Sequence, residues 1–259
     1  MADRPIALVT GASSGIGAAI ARRFAERDHD LVVVARDVTR LEKLAADLPG
    51  TDIEILGADL SQPDELAVVE ERLRAADHPI DKLINNAGYG TAGKFIELDV
   101  DREIGMIDLN ITALVRLTHA AAGGMVDRGR GGILNIGSVG SFQPSPYNAA
   151  YSATKAFVLS FTEGLHVDLK GTGVTATALC PGPTKTEFGE AAGIKEELFE
   201  IPGLVYTAEA MAVAGVQAME KGRRVVIPGA PNLVTAVGGR LMPRSLVLPL
   251  IDRFYPVGK

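Results

Sequence analysis

Apolar residues recur along this chain in seven short, nearly continuous runs, at residues 6–9, 31–35, 53–56, 82–84, 133–136, 174–179 and 225–227. Runs of Val, Ile and Leu without polar alternation suit strands buried on both faces. Between them the apolar positions change to helical spacing, over 16–27, 41–48, 66–75, 104–126, 151–169 and 208–220. Strands separated by helices pair in parallel, and right-handed crossovers then put helices on both faces of the sheet. The pattern predicts an α/β fold: a doubly wound parallel sheet of about seven strands in a three-layer αβα arrangement. Ligands of such a sheet gather beyond the carboxyl ends of its strands.

No stretch reads as a linker, so a single domain is expected across residues 1–259. Hydrophobic residues make up 47% and charged residues 22%, which suits a large buried core. A net charge of −6 argues against a nucleic-acid partner, because phosphate binding needs a basic face. The lone cysteine, Cys180, excludes an intrachain disulfide and reads as a small buried hydrophobe beside Pro181. His29, His78, His119 and His166 lack metal-ligand spacing, and no metal is expected. Met1-Ala2-Asp3-Arg4-Pro5 leads into the first strand without an apolar signal region, and no apolar run approaches the length of a spanning helix. A cytoplasmic location is therefore expected.

Six polar or glycine-rich segments fall in order on this scaffold. They are Thr10-Gly11-Ala12-Ser13-Ser14-Gly15-Ile16-Gly17, Asn85-Asn86-Ala87-Gly88, Leu109-Asn110-Ile111, Ser138, Tyr151-Ser152-Ala153-Thr154-Lys155 and Pro181-Gly182-Pro183-Thr184-Lys185-Thr186-Glu187. Each short motif is weak alone. The first opens a helix directly after a strand. Its glycines permit a tight turn and close approach of backbone N–H groups to a pyrophosphate at the positive helix end. Gly11, Ser13, Ser14, Gly15, Ile16 and Gly17 are thus the candidate dinucleotide cradle. At the end of the second strand an acidic residue would accept from a free ribose 2′-hydroxyl, whereas arginine pairs with a 2′-phosphate. Ala35 is followed there by Arg36, with Arg40 in support, which selects NADP(H). Asp37 is the complication, and capping the next helix would turn it away. Asp59 and Leu60 are placed to meet the adenine. A helix-start role with Ser61 and Pro63 is the alternative.

Tyr151 and Lys155 stand four residues apart, on one face of a helix. An ammonium about 4 Å from a phenol contributes roughly 4 kcal/mol at an effective dielectric near 20, enough to bring a phenol towards the working range of a general acid or base. Ser138 can donate to a substrate carbonyl oxygen, with Ser141 as the competing candidate. Neither lies in a Gly-x-Ser-x-Gly elbow, which disfavours a serine hydrolase. Asn110 interrupts an apolar helix and either satisfies a local backbone group or anchors a water chain.

On these residues the chain resembles the short-chain dehydrogenase/reductases, over roughly residues 5–228. The resemblance implies a Rossmann-type nucleotide site and the NADP-preferring branch. It also implies Tyr151 as acid/base, Lys155 on the nicotinamide ribose while lowering the tyrosine pKa, Ser138 orienting the carbonyl and Asn110 holding a relay water. Asn86, Ala87 and Gly88 then pack against the cofactor, and Pro181, Gly182 and Thr184 contact its nicotinamide portion. Tyr89 either approaches substrate or packs. The expected activity is NADP(H)-dependent hydride transfer between nicotinamide and a ketone or secondary alcohol, with an apolar or 3-oxoacyl-type substrate. The alternative is a catalytically silent NADP(H)-binding regulator.

Residues 184–206 read as a lid, with Phe188, Ile194, Leu198, Phe199 and Ile201 as its apolar contacts and Gly189 and Gly193 as mobile points. Gln143, Pro144 and Tyr147 are candidates for the opposite wall. The tail, residues 229–259, carries apolar pieces separated by Arg240, Pro243 and Arg244. It permits membrane contact or a substrate wall, with packing on a neighbouring subunit as the plainer alternative. The resemblance implies a homodimer or homotetramer built through the helices at 104–126 and 151–169.

Overall fold

The computed structural model describes residues 4–192 and 205–254, the side chains of 190, 191 and 254 excepted. Seven parallel strands form one sheet: β1 (Ile6–Thr10), β2 (Asp30–Ala35), β3 (Ile53–Gly57), β4 (Ile80–Asn85), β5 (Gly131–Ile136), β6 (Val174–Leu179) and, after two shorter strands described next, β9 (Val225–Val226). β7 (Thr184–Lys185) and β8 (Tyr206–Thr207) pair separately, in parallel, as a small clip. The order in the large sheet is β3-β2-β1-β4-β5-β6-β9. Direction reverses between β1 and β4, the switch point at which a doubly wound sheet opens a crevice.

Helices α1 (Gly15–Ala25), α2 (Val38–Ala46), α3 (Pro63–Arg74), α4 (Val100–Ile107), α5 (Leu114–Asp127), α6 (Ala149–Asp168), α7 (Phe188–Ala191), α8 (Ala208–Glu220), α9 (Ala230–Leu241) and α10 (Arg244–Phe254) complete the described chain. Two apolar clusters flank the sheet. In one, Val9, Val33, Ile84 and Leu134 meet Ile20, Phe24, Met211 and Val216 of α1 and α8. In the other, Leu8, Val32, Leu83 and Ile133 meet Leu66, Val69, Leu117 and Met125 of α3 and α5. These neighbouring strand residues alternate between two fully covered faces, which explains the absence of polar alternation in the sequence.

The structure corrects one expectation. The helical pattern at 104–126 is not one helix: α4 and α5 are joined by a π-helical segment, Asp108–Ala113, with Asn110 inside it. Apolar spacing cannot register a single widened turn, because the face it buries is the same on either side. The expected lid, residues 184–206, has regular structure at its described ends. It begins and ends in the β7–β8 clip and contains α7, while Gly193, Ile194, Leu198, Phe199 and Ile201 lie outside the described residues. No helix among the described residues is long and apolar enough to cross a membrane.

Candidate active site

The crevice begins at the turn between β1 and α1. Gly11 has φ of +65°, and a Cβ there would lie 2.8 Å from Asn86 Nδ2. At Gly17 a Cβ would collide with the Gly11 carbonyl oxygen and with Asn86 Nδ2. Asn86 locks this turn: its Nδ2 donates to the carbonyls of Thr10 (2.9 Å) and Gly11 (3.1 Å). Thr10 Oγ1 in turn accepts from the N–H groups of Asn86 and Ala87, both at 3.0 Å. The cradle is thereby pinned to the end of β4. Ser14 is the N-cap of α1, its side chain makes no capping bond, and no acid stands in the first turn. First-turn N–H groups have no partner within a helix, and no acidic side chain of this turn competes for them. An anionic pyrophosphate fits this turn.

At the end of β2, Arg36 lies 3.7 Å from Asp59, with its side chain 78% exposed. Asp59 Oδ1 accepts from both the N–H and hydroxyl of Ser61, so Asp59 takes the loop-structuring role beside Leu60, which is buried. Asp37 caps α2 by accepting from the Arg40 N–H at 3.0 Å. Arg40 Nη1 reaches across to Glu187 at 2.6 Å. Both arginines are present at the 2′ end of the crevice, each already beside a carboxylate.

The chemical end is built by β5, the 3₁₀ turn Val139–Phe142 and α6. Lys155 is buried, its Nζ donates to the Ile136 carbonyl at 2.8 Å, and it lies 5.9 Å from the centre of the Tyr151 ring. Burial pulls the Lys155 ammonium down to about 8. The two serines separate cleanly. Ser141 Oγ donates to the Lys155 carbonyl at 2.7 Å and accepts from the Ser138 N–H, so it is tied into the turn. Ser138 Oγ accepts from the Gly140 N–H at 3.0 Å, which leaves its own proton to give. Cys180, fully buried, has its thiol pushed up to about 12 by that burial and is inert at neutral pH.

Asn110 is the local option at its side chain. Its Oδ1 accepts from the Tyr89 N–H, and its Nδ2 donates to the Tyr89 carbonyl and to Thr154 Oγ1. Gly88 packs so closely that a Cβ would lie 2.7 Å from Asn110 Oδ1 and 3.7 Å from Lys155 Nζ. Tyr89 packs rather than pointing to substrate, donating its hydroxyl to the Arg102 carbonyl on α4. Pro181 accepts from the Val139 N–H, and Thr184 Oγ1 donates to the Gly182 carbonyl.

Thr186, Asn135 and Asn232 escaped the sequence reading, whereas Phe188 was expected as an apolar lid contact and Gln143 and Tyr147 as wall residues. Thr186 overlies the glycine turn: a Cβ at Gly15 would meet its Cγ2 at 3.2 Å. Phe188 rests on the Tyr151 ring, with centroids 5.6 Å apart. Asn135 bridges Asn85 Nδ2 and Thr162 Oγ1 at 2.9 Å each, joining β4, β5 and α6. The tail docks on its own chain. Buried Asn232 of α9 packs against Gly182, no room for a side chain remains at Gly239 beside Gln143, and Tyr147 donates its hydroxyl to Asp252 of α10. Within the tail only the Asp252 position carried a signal, a lone acid in a basic, apolar segment.

Comparison with known proteins agrees with this fold. The model of the short chain dehydrogenase family matches residues 5–197. Sulfoacetaldehyde reductase 2 of Chromohalobacter salexigens is 41% identical over 187 residues, 71% of this chain and 74% of that protein. A short-chain dehydrogenase from Sphingobium yanoikuyae, solved in complex with NADPH, shares 44% identity with a TM-score of 0.81, covering 86% of this chain and 87% of that one. The bulky-bulky ketone specific alcohol dehydrogenase from Comamonas testosteroni shares 39% identity with a TM-score of 0.78, covering 87% and 86%. The chain belongs to the short-chain dehydrogenase/reductase family, oxidoreductases that bind a nicotinamide cofactor and act on CH–OH and C=O groups.

Proposed function

We propose that this protein is an NADP(H)-dependent carbonyl reductase, reversibly an alcohol dehydrogenase, for apolar ketones or 3-oxoacyl-type substrates. The observation that carries this reading is the trio at the chemical end: Ser138 with a proton to donate, Tyr151, and the buried Lys155 ammonium beside it. The bound nicotinamide supplies or takes up the hydride. Ser138 donates to the carbonyl oxygen and fixes the carbon for attack. Tyr151 gives its phenolic proton to that oxygen as charge builds there, and takes one back in the oxidative direction. Burial lowers Lys155 only to about 8, so its ammonium form persists at neutral pH. Its charge stands beside the Tyr151 ring, 5.9 Å from the ring centre, where a nearby cation favours the phenolate. Lys155 also stands ready to bind the nicotinamide ribose, and Asn110 braces the loop at Tyr89 against Thr154 of the catalytic helix.

Arg36 and Arg40 support the choice of NADP(H), as does the NADPH bound in the Sphingobium relative. Phe188 on Tyr151 supports an apolar substrate, in keeping with the bulky ketones named for the Comamonas relative. The test is NADPH oxidation across aryl ketones, 3-oxoacyl thioesters, aliphatic ketones and sulfoacetaldehyde. Turnover is expected with the first two groups, and NADPH preference should fall in Arg36→Ala. Turnover of sulfoacetaldehyde alone would overturn the substrate class, and an unchanged preference in the variant would reject the 2′-phosphate role.

A further inference from the structure

Three consecutive residues touch three successive stations of the crevice. Thr186 lies over Gly15 of the cradle, Glu187 pairs with Arg40 at the 2′ end, and Phe188 rests on Tyr151 at the chemical end. The segment is therefore a strap across the path of the cofactor, and its middle residue is charged. Three carboxylates neighbour the two arginines. Asp37 is held as the α2 cap by the Arg40 N–H, and Asp59 is held by Ser61 through two hydrogen bonds. Among the described residues, Glu187 alone of the three is held by a guanidinium only: Asp37, itself 3.3 Å from Arg40 Nε, also keeps a backbone N–H, and Asp59 keeps Ser61. It is the one free to leave. Its pair is half exposed, 47% for Arg40 and 62% for Glu187, and such surface pairs are weak and salt-screened. A phosphate dianion offers Arg40 more charge and bidentate geometry than a carboxylate.

We propose that Glu187 couples 2′-phosphate recognition to the chemical end: the phosphate takes Arg40 from Glu187, repels the carboxylate, and so lifts Phe188 from Tyr151. This rests on the NADP(H) reading. It makes Glu187 a positioning residue that reads the cofactor's 2′ substituent, with Phe188 as the covering ring that responds. A nucleotide without the phosphate leaves the Arg40–Glu187 pair intact and the ring in place.

The experiment separates the charge from the chemistry by using nucleotides that cannot reach Tyr151. Adenosine 2′,5′-bisphosphate and 5′-AMP are titrated into the full-length protein carrying 4-fluorophenylalanine at Phe188, in wild type and Glu187→Gln, with fluorine NMR and calorimetry. The bisphosphate is expected to shift the Phe188 resonance in wild type and 5′-AMP to leave it. Glu187→Gln should show the shifted resonance without ligand and bind the bisphosphate about twofold to tenfold more tightly at low ionic strength, a gain that fades near 1 M salt. An unmoved resonance at saturating bisphosphate, an equal shift with 5′-AMP, or unchanged affinity in Glu187→Gln overturns the coupling. Failure of the NADP(H) reading is recognised separately, as equal affinity of wild type for the two nucleotides, and the coupling falls with it.

Discussion

Lys155 holds a charge where water does not reach, and its thermodynamic signature follows from that placement. Burial lowers its ammonium from an ordinary value near 10.5 to about 8. Between those values the unfolded chain binds the proton that the folded chain has lost, so stability from this group rises with pH across the window. Below pH 8 both states are protonated and the burial penalty is fully present. Wild type should therefore gain on the order of 3 kcal/mol relative to Lys155→Met between pH 8 and pH 10.5, measured as denaturant-unfolding free energies at each pH. A constant difference would place Lys155 in a solvated setting. The same single-residue logic distinguishes the serines. Ser138→Ala should lower kcat about 100-fold or more with little loss of stability, whereas Ser141→Ala should cost about 1–3 kcal/mol of stability by orphaning the Ser138 N–H and removing the tie to the Lys155 carbonyl. At Gly17, Ala forces a methyl against the Gly11 carbonyl and Asn86, and NADPH titration should show binding weakened by at least tenfold.

At the scale of elements, strands and their carboxyl ends were legible because a strand covered on both faces writes a continuous apolar run. β6 matches the expected 174–179 residue for residue, the cradle and Ser138 follow β1 and β5, and Tyr151 lies on α6. The π-helical turn at Asn110 left no trace, since hydrogen-bond register inside a helix has no hydrophobic period. Nor could periodicity find Asn135, an amide in the middle of an apolar strand. Its bonds to Asn85 and Thr162 hold β4, β5 and α6 together, so Asn135→Leu should cost about 2–4 kcal/mol, read from the unfolding midpoint. The tail was the least legible element. Its contact with the site runs through Gly182 and Gly239, where what matters is the missing side chain. Gly239→Val should push α9 from Gln143 and raise the KM for ketone several-fold while leaving NADPH affinity within a factor of about two.

For the whole molecule, the order of strands brings segments far apart in sequence into one crevice. Strand ends at Thr10, Ala35, Asn85, Ile136 and Leu179 all open on that side, and the two groups of site residues face one another across the switch point. Assembly belongs to this scale too. Ile104 on α4 and Phe157 and Val167 on α6 are exposed, and covering such residues is the physical reason to expect self-association. Sedimentation should find a dimer or tetramer that Phe157→Glu weakens, while a stable wild-type monomer would refute it. The central claim, though, is proton transfer by Tyr151 in a site that otherwise remains whole. Its most direct measure is single-turnover NADPH oxidation by Tyr151→Phe, with NADPH affinity measured on the same sample. A rate reduced about 100- to 10,000-fold with affinity nearly intact is the predicted result; a rate equal to wild type would contradict the account.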